Sequence, residues 1–233
     1  MSKNRILALD ACTEACSAAL YDGAELISRY AISPREHSQR LLPMVDELLA
    51  EAELKIGDVD AIAFGRGPGS FTGVRICVGF AQGLALGADR PMIGISTLEA
   101  MALEASELHQ HRQLIAAIDA RMAEIYVAAY EVSDGKCQPS WPEQVIKPDV
   151  LVEQAEPLAG KWIGVGSGWG TYGDQLKGLA SELEITDRVQ FPSAASMAKL
   201  ALPKLLAGEV QDCADVEPIY LRNEVTWKKL PGR

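Results

Sequence analysis

The stretch Arg5-Ile6-Leu7-Ala8-Leu9-Asp10, followed by Ala15-Cys16-Ser17-Ala18-Ala19-Leu20-Tyr21 and the pair Asp22-Gly23, decides how the rest of the chain is read. Two short apolar runs flank a polar break, and Asp22-Gly23 suits the positive φ of a hairpin turn, so a third strand is expected at residues 24–30. A helix pattern follows over 34–53, with Leu41, Leu42, Val45, Leu48, Leu49 and Ala52 at helical spacing. Ser33-Pro34-Arg35-Glu36 reads as a capping box with proline in the first turn. Pro43 then either kinks this helix or moves its start towards residue 39. A strand at 60–65, a glycine-rich turn, a helix over 70–88, a strand at 92–95 and a helix capped by Ser96 complete the first half.

The order then repeats, offset by about 108 residues. Strands are expected at 113–119 and 123–131, an extended segment after Asp134-Gly135 with its core at 145–147, and a short helix after Pro148. A strand at 161–166, a helix from Trp169, a brief strand at 189–191 and a last helix at 193–208 interrupted by Pro203 follow. Leu9-Asp10 stands opposite Ile118-Asp119, and Gly65-Arg66-Gly67 opposite Gly164-Val165-Gly166. Three antiparallel strands followed by helical crossovers imply a mixed sheet in each half. A duplicated βββαβα unit with an aspartate ending each first strand resembles the actin, Hsp70 and sugar-kinase (ASKHA) architecture. The expected fold is thus α/β, duplicated, actin-like and two-lobed, with lobes at 1–108 and 109–233.

Composition narrows the classes. The 233 residues carry 22 basic and 32 acidic side chains, a net charge of −10, with 48% apolar and 23% charged residues. That balance offsets chain entropy and excludes intrinsic disorder, and the negative charge argues against strong nucleic-acid affinity by this chain alone. The longest uncharged apolar stretch, 76–88, is interrupted by three glycines and falls short of a bilayer span. The N-terminus does not read as a signal peptide, so a cytoplasmic location is expected. Five cysteines (Cys12, Cys16, Cys77, Cys137, Cys213) show neither C-x-x-C spacing nor a nearby histidine cluster, so neither a disulfide framework nor a zinc site is expected.

In a two-lobed fold of this kind a nucleotide lies between the halves, held by the first hairpin of each. The first hairpin offers Asp10, placed to reach a magnesium-bound water, and Thr13 for a phosphate, beside an unhelpful Glu14. The second offers Asp119 and Arg121 but no glycine, so a structural turn or ion pair is the weightier reading there. The run Gly65-Arg66-Gly67-Pro68-Gly69-Ser70-Phe71-Thr72-Gly73-Val74-Arg75 leaves a strand and enters a helix N-terminus. Gly67, Gly69, Ser70 and Thr72 there form either an anion site or a tight turn without ligand. Neither a Walker A loop nor a hydrolase elbow matches it. Gly79, Gly83 and Gly87 recur every four residues on the next helix. Interior glycine costs a helix about 1 kcal/mol per site, so the stripe implies close approach of another backbone, either the chain's own sheet or a helix of another subunit. Gly168-Trp169-Gly170-Thr171-Tyr172-Gly173 matches G-x-G-x-x-G only formally, with a tryptophan in the tight turn. His109 and His111 read as solvated, and Cys12, Cys16 and Cys77 as small core residues. The tail 222–233 is locally basic and contains Trp227, a contact for RNA or an acidic partner, or a solvated end.

Taken together, these residues resemble the TsaB (YeaZ) family, a bacterial partner protein in making threonylcarbamoyladenosine in tRNA. The resemblance rests on Leu9-Asp10 with Thr13-Glu14-Ala15-Cys16-Ser17, on the specific run Gly67–Arg75, and on Asp119-Ala120-Arg121. It continues through Gly164-Val165-Gly166-Ser167-Gly168 to Pro218-Ile219-Tyr220-Leu221-Arg222 and Trp227-Lys228-Lys229-Leu230-Pro231, nearly the whole chain. It implies a heterodimer with the related catalytic subunit TsaD, joined by the ATPase TsaE, with TsaC supplying the activated threonylcarbamoyl-adenylate. Catalytic relatives hold a metal with His-x-x-x-His on the first helix. Here His37-Ser38-Gln39-Arg40-Leu41 places Leu41 at the second ligand, so no metal and no catalysis are expected. No cofactor is expected to be tightly bound, and ATP or ADP would sit at the partner interface. The implied contact takes His37, Arg40, Leu41, Val45 and Leu48 from one helix and Arg75, Gly79 and Gly83 from the next. A homodimer through the same face is expected without the partner, tRNA is reached only through the complex, and no membrane is involved. The alternative is a small-molecule kinase using Asp10 and Asp119 around Mg-ATP.

Overall fold

The computed structural model describes residues 4–222; the basic segment 223–233 lies outside them. The first half runs β1 (Ile6–Asp10), β2 (Ala15–Tyr21), β3 (Leu26–Ile32), α1 (His37–Glu51), β4 (Ala61–Gly67), α2 (Phe71–Ala88), β5 (Met92–Ser96) and α3 (Thr97–His109). The second repeats it as β6 (Gln113–Arg121), β7 (Glu124–Ser133), β8 (Lys136–Ile146), α4 (Pro148–Gln154), β9 (Leu158–Val165), α5 (Ser167–Tyr172), β10 (Ala180–Ile185) and α6 (Ala194–Ala207). The sheets have matching orders, β3-β2-β1-β4-β5 and β8-β7-β6-β9-β10. In each, the first strand pairs antiparallel with the second and parallel with the fourth. This is the α/β two-lobed actin-like fold.

Both faces of each central strand are covered, which is why those strands read as near-continuous apolar runs. Leu7 and Leu9 of β1 face α1 and α2, while Ile6 and Ala8 face a middle layer made of α3 and α6. On the other sheet Ile115, Val127 and Ala129 face α4 and α5, and Leu114, Ala116 and Ala128 face the same middle layer. The middle helices are exchanged. α6, from the second half, packs on β1, β2, β4 and β5, whereas α3, from the first half, packs most on β6 and β7. Ser17 of β2 accepts a hydrogen bond at 2.9 Å from the Ala194 N–H, the first residue of α6.

Local expectations fail in three places. The strand expected at 189–191 does not form, and β10 takes its place at the sheet edge; its mostly polar, exposed sequence hides the strand period. The capping box at 33–36 does not form either. Arg35 takes a left-handed φ of 72°, α1 begins at His37 behind Glu36 without a side-chain cap, and Pro43 remains inside the helix. Finally, α2 is 18 residues long and apolar enough by composition to cross a bilayer, longer than the uncharged stretch suggested. Its Val74, Cys77, Val78, Ala81 and Ala85 pack on β-sheet partners, so it serves as a layer of the fold.

Candidate functional site

Asp10 ends β1 with its carboxylate fully buried, Oδ1 accepting from the Cys12 N–H at 3.3 Å. Burial pushes its carboxyl up from 3.8 to about 7. Gly65 on neighbouring β4 leaves room for it, since a Cβ there would fall well inside 3.0 Å of Asp10 Oδ1. Thr13 is buried too: its Oγ1 accepts from the Ala15 N–H at 3.4 Å, and its carbonyl lies 2.7 Å from Nε2 of His37. The two side chains expected to meet magnesium and phosphate are therefore turned into the protein.

The glycine-rich run explains itself by the same crowding. The Ser70 N–H donates to the Cys12 carbonyl at 2.7 Å, and a Cβ at Gly69 or Gly73 would collide with the carbonyls of Cys12 and Ala11. Gly67 needs its φ of 101°, mirrored by 109° at Gly166 in the second half. Ser70 caps α2 through the Gly73 N–H at 3.0 Å, while Thr72 is exposed in the first turn. The tight-turn reading has a physical reason at Gly69 and Gly73, where the hairpin backbone leaves no room for a Cβ.

The second hairpin is a strained ion-paired turn. Arg121, Met122 and Ala123 have consecutive left-handed φ values of 62°, 59° and 61°. The Arg121 N–H donates to Asp119 Oδ1 at 2.8 Å, and its guanidinium lies 2.7 Å from Glu14 Oε1 and 3.5 Å from Asp119 Oδ2. Glu14 belongs to the first hairpin, so this bridge spans the two hairpins. The formal G-x-G-x-x-G at 168–173 is filled by its own tryptophan: Trp169 is buried and donates from Nε1 to the Ile115 carbonyl at 3.0 Å.

Of the expected contact residues, Leu41, Val45 and Leu48 are buried against the chain's own sheet, and His37 is buried on the Thr13 carbonyl. The helical period that made them look like an interface is the period of a core face. What α1 exposes beside them is Leu42 and Arg40, the latter paired with Glu36 at 2.8 Å. On α2 the expectation fares differently. Among the described residues, no atom comes within 4 Å of the place a Cβ would take at Gly79, Gly83 or Gly87, so no packing among those residues requires them to be glycine. They share an exposed stripe with Phe71, Arg75 and Leu86. The Arg75 guanidinium lies 3.4 Å from the Phe71 ring centre and 5.5 Å from that of Tyr220, and the two rings are 5.4 Å apart. Tyr220 was not among the expected site residues. It reaches the stripe because the strand-like tail crosses back, with the Ile219 N–H on the Arg66 carbonyl at 3.3 Å and Arg222 bonded to Glu124 at 3.1 Å.

Comparison with known proteins gives a consistent set of matches. Residues 31–230 match the family model described as TsaD, tRNA N6-adenosine threonylcarbamoyltransferase. The chain is 46% identical over 231 residues to the Escherichia coli K12 tRNA threonylcarbamoyladenosine biosynthesis protein TsaB, covering 98% of this chain and 99% of that one. It is 44% identical to the Haemophilus influenzae protein of the same name over the whole of both. Among solved structures, YeaZ from Pseudomonas aeruginosa superposes with a TM-score of 0.85 at 40% identity, covering 94% of this chain and all of that one.

Proposed function

Since the chain belongs to the TsaB (YeaZ) family of tRNA threonylcarbamoyladenosine biosynthesis proteins, we propose that it is a noncatalytic subunit that binds and activates a TsaD-like transferase. The observation that carries this reading is the glycine stripe of α2, whose three residues have open space where a Cβ would stand. Three exposed helical glycines weaken α2 by about 1 kcal/mol each. Close approach of a partner helix during assembly compensates for that cost. Phe71, Arg75 and Leu86 are exposed on the same helix as the stripe and supply its apolar and cationic rim.

Two features of the packing support a noncatalytic role. Leu41 stands in the core where a second metal histidine would be needed, and His37 is held by the Thr13 carbonyl. Asp10 lies buried rather than facing a magnesium ion, which argues against the small-molecule kinase alternative. ATP or ADP then binds at the boundary with the partner, where a TsaE-like ATPase joins, and tRNA is met by the complex. In the partner's absence the same stripe pairs two copies of this chain.

The test is co-purification of the full chain with a TsaD-like subunit, followed by sedimentation. Gly83→Leu is expected to abolish the heterodimer while the monomer keeps its circular dichroism, because Gly83 is exposed and a Cβ there meets nothing among the described residues. Unchanged affinity sinks the reading. ATP turnover by the isolated wild-type chain, lost in Asp10→Asn, would favour the kinase instead.

A further inference from the structure

Cys12 and Cys77 are far apart in sequence, in no motif, and both fully buried. The fold brings them together at the inner end of the first hairpin. Sγ of Cys12, Sγ of Cys77 and a carboxylate oxygen of Asp10 all lie within 4.8 Å of one another. Three different elements supply them: β1 provides Asp10, the hairpin Cys12, and the buried face of α2 Cys77.

Two features set this cluster apart from ordinary core cysteines. Asp10 Oδ2 is buried without a hydrogen-bond partner among the described residues, a costly state for a carboxylate. Gly65 keeps the space open: a Cβ there would come inside 3.0 Å of both Asp10 Oδ1 and Cys12 Sγ. Zinc bonds of about 2.3 Å to sulfur and about 2.0 Å to oxygen put tetrahedral ligand atoms roughly 3.5–3.8 Å apart, inside the 4.8 Å within which the three atoms lie.

We propose that Asp10, Cys12 and Cys77 form a binding site for a thiophilic divalent cation of the zinc class, clamping the first hairpin to α2. The charges fit the dry surroundings. Zn²⁺ balances two thiolates, leaving the carboxylate's single charge instead of three uncompensated ones. Each thiol, and Asp10 where it is protonated, releases its proton to solvent as its bond to zinc forms, and the hydrogen bonds now made by Cys12 Sγ to the Gly65 carbonyl and by Cys77 Sγ to the Leu9 carbonyl are exchanged for metal bonds. Without the ion, burial holds the Cys12 thiol well above its usual range. Because no ligand is exposed, loading is expected chiefly during folding.

The experiment uses the full chain under argon with a non-thiol reductant, exposed to Zn²⁺ after folding and, separately, during refolding. Zinc per chain is measured after a weak chelator wash, and Co²⁺ loading is followed by thiolate-to-cobalt charge-transfer absorption. Expected are one Zn²⁺ per chain in at least the refolded sample, an intense charge-transfer band, and a higher melting temperature. Cys12→Ala and Cys77→Ala should lose all three, while a Cys16→Ala/Cys137→Ala/Cys213→Ala variant keeps them. Asp10→Asn, which keeps both thiols, should weaken binding at least tenfold, so a cysteine variant that fails to fold does not remove the test. Zinc retained equally by a Cys12→Ala/Cys77→Ala double variant, no cobalt–thiolate band, or no zinc under either loading regime overturns the proposal.

Discussion

Glycines in this chain fall into two physical kinds, and single substitutions separate them. At Gly69 and Gly73 the neighbour is a backbone carbonyl of the first hairpin, which cannot rotate away. Gly69→Ala is therefore expected to destabilise the protein by about 3 kcal/mol, read as a lowered urea midpoint at unchanged slope; a neutral result would show that the hairpin can move. Asp10 gives a second prediction at this scale. Its carboxyl is raised from 3.8 to about 7 by burial, so between those values the native chain holds a proton that the unfolded chain has released. The stability contributed by this group is full below 3.8 and is lost as pH rises through 7. With a chelator present, Asp10→Asn should flatten the pH dependence of unfolding across that window, by an amount on the order of a few kcal/mol. Parallel wild-type and variant profiles would refute the buried acid.

At the scale of elements, α2 does two jobs on two faces. The face with Val74, Cys77, Val78, Ala81 and Ala85 is packed on the sheet, and the face with Gly79, Gly83 and Gly87 is open. Gly79→Ala should then stabilise the monomer by about 1 kcal/mol, measured by denaturant unfolding, while weakening assembly with a TsaD-like partner. A loss of monomer stability would mean that the open face is already in use within the chain. Helix α1 shows how period can mislead. Its apolar positions were legible in sequence, but a helical stripe of Leu41, Val45 and Leu48 looks the same whether it meets the chain's own sheet or another protein. The sheet claimed it. For α2 the structure adds what period cannot: among the described residues nothing approaches the place of a Cβ at Gly79, Gly83 or Gly87.

For the whole molecule, the exchange of middle helices is the decisive feature. α6 covers Ile6, Ala8, Ala19, Ile93 and Ile95 from the far end of the chain, while α3 covers the other sheet. Residues 1–108 made alone are expected to show no cooperative unfolding transition, because one face of their sheet would be left to water. A sigmoidal melt for that fragment would refute the exchange as a folding requirement. The tail makes a similar tie: Arg222 reaches Glu124 and the Ala120 carbonyl of the second hairpin, and Tyr220 lies against Phe71 at the start of α2.

Most of the element order, the duplicated βββαβα plan and the aspartate ending β1 were written in local signals, namely apolar period, Asp-Gly turns and glycine runs, whereas β6 runs two residues past Asp119 and β10 carried no such signal. These are near-neighbour effects, and a linear reading sees near neighbours. The contacts between β4 and the first hairpin, the burial of Asp10 and Thr13, and the meeting of Cys12 with Cys77 had no such signal. They join residues that only chain closure brings together, and a buried thiol or carboxylate has the same one-letter form as an exposed one. Sequence determined most of the elements and to which family the chain belongs. Tertiary packing decided which faces remain free to bind, because burial is a property of everything that surrounds a residue rather than of the residue itself.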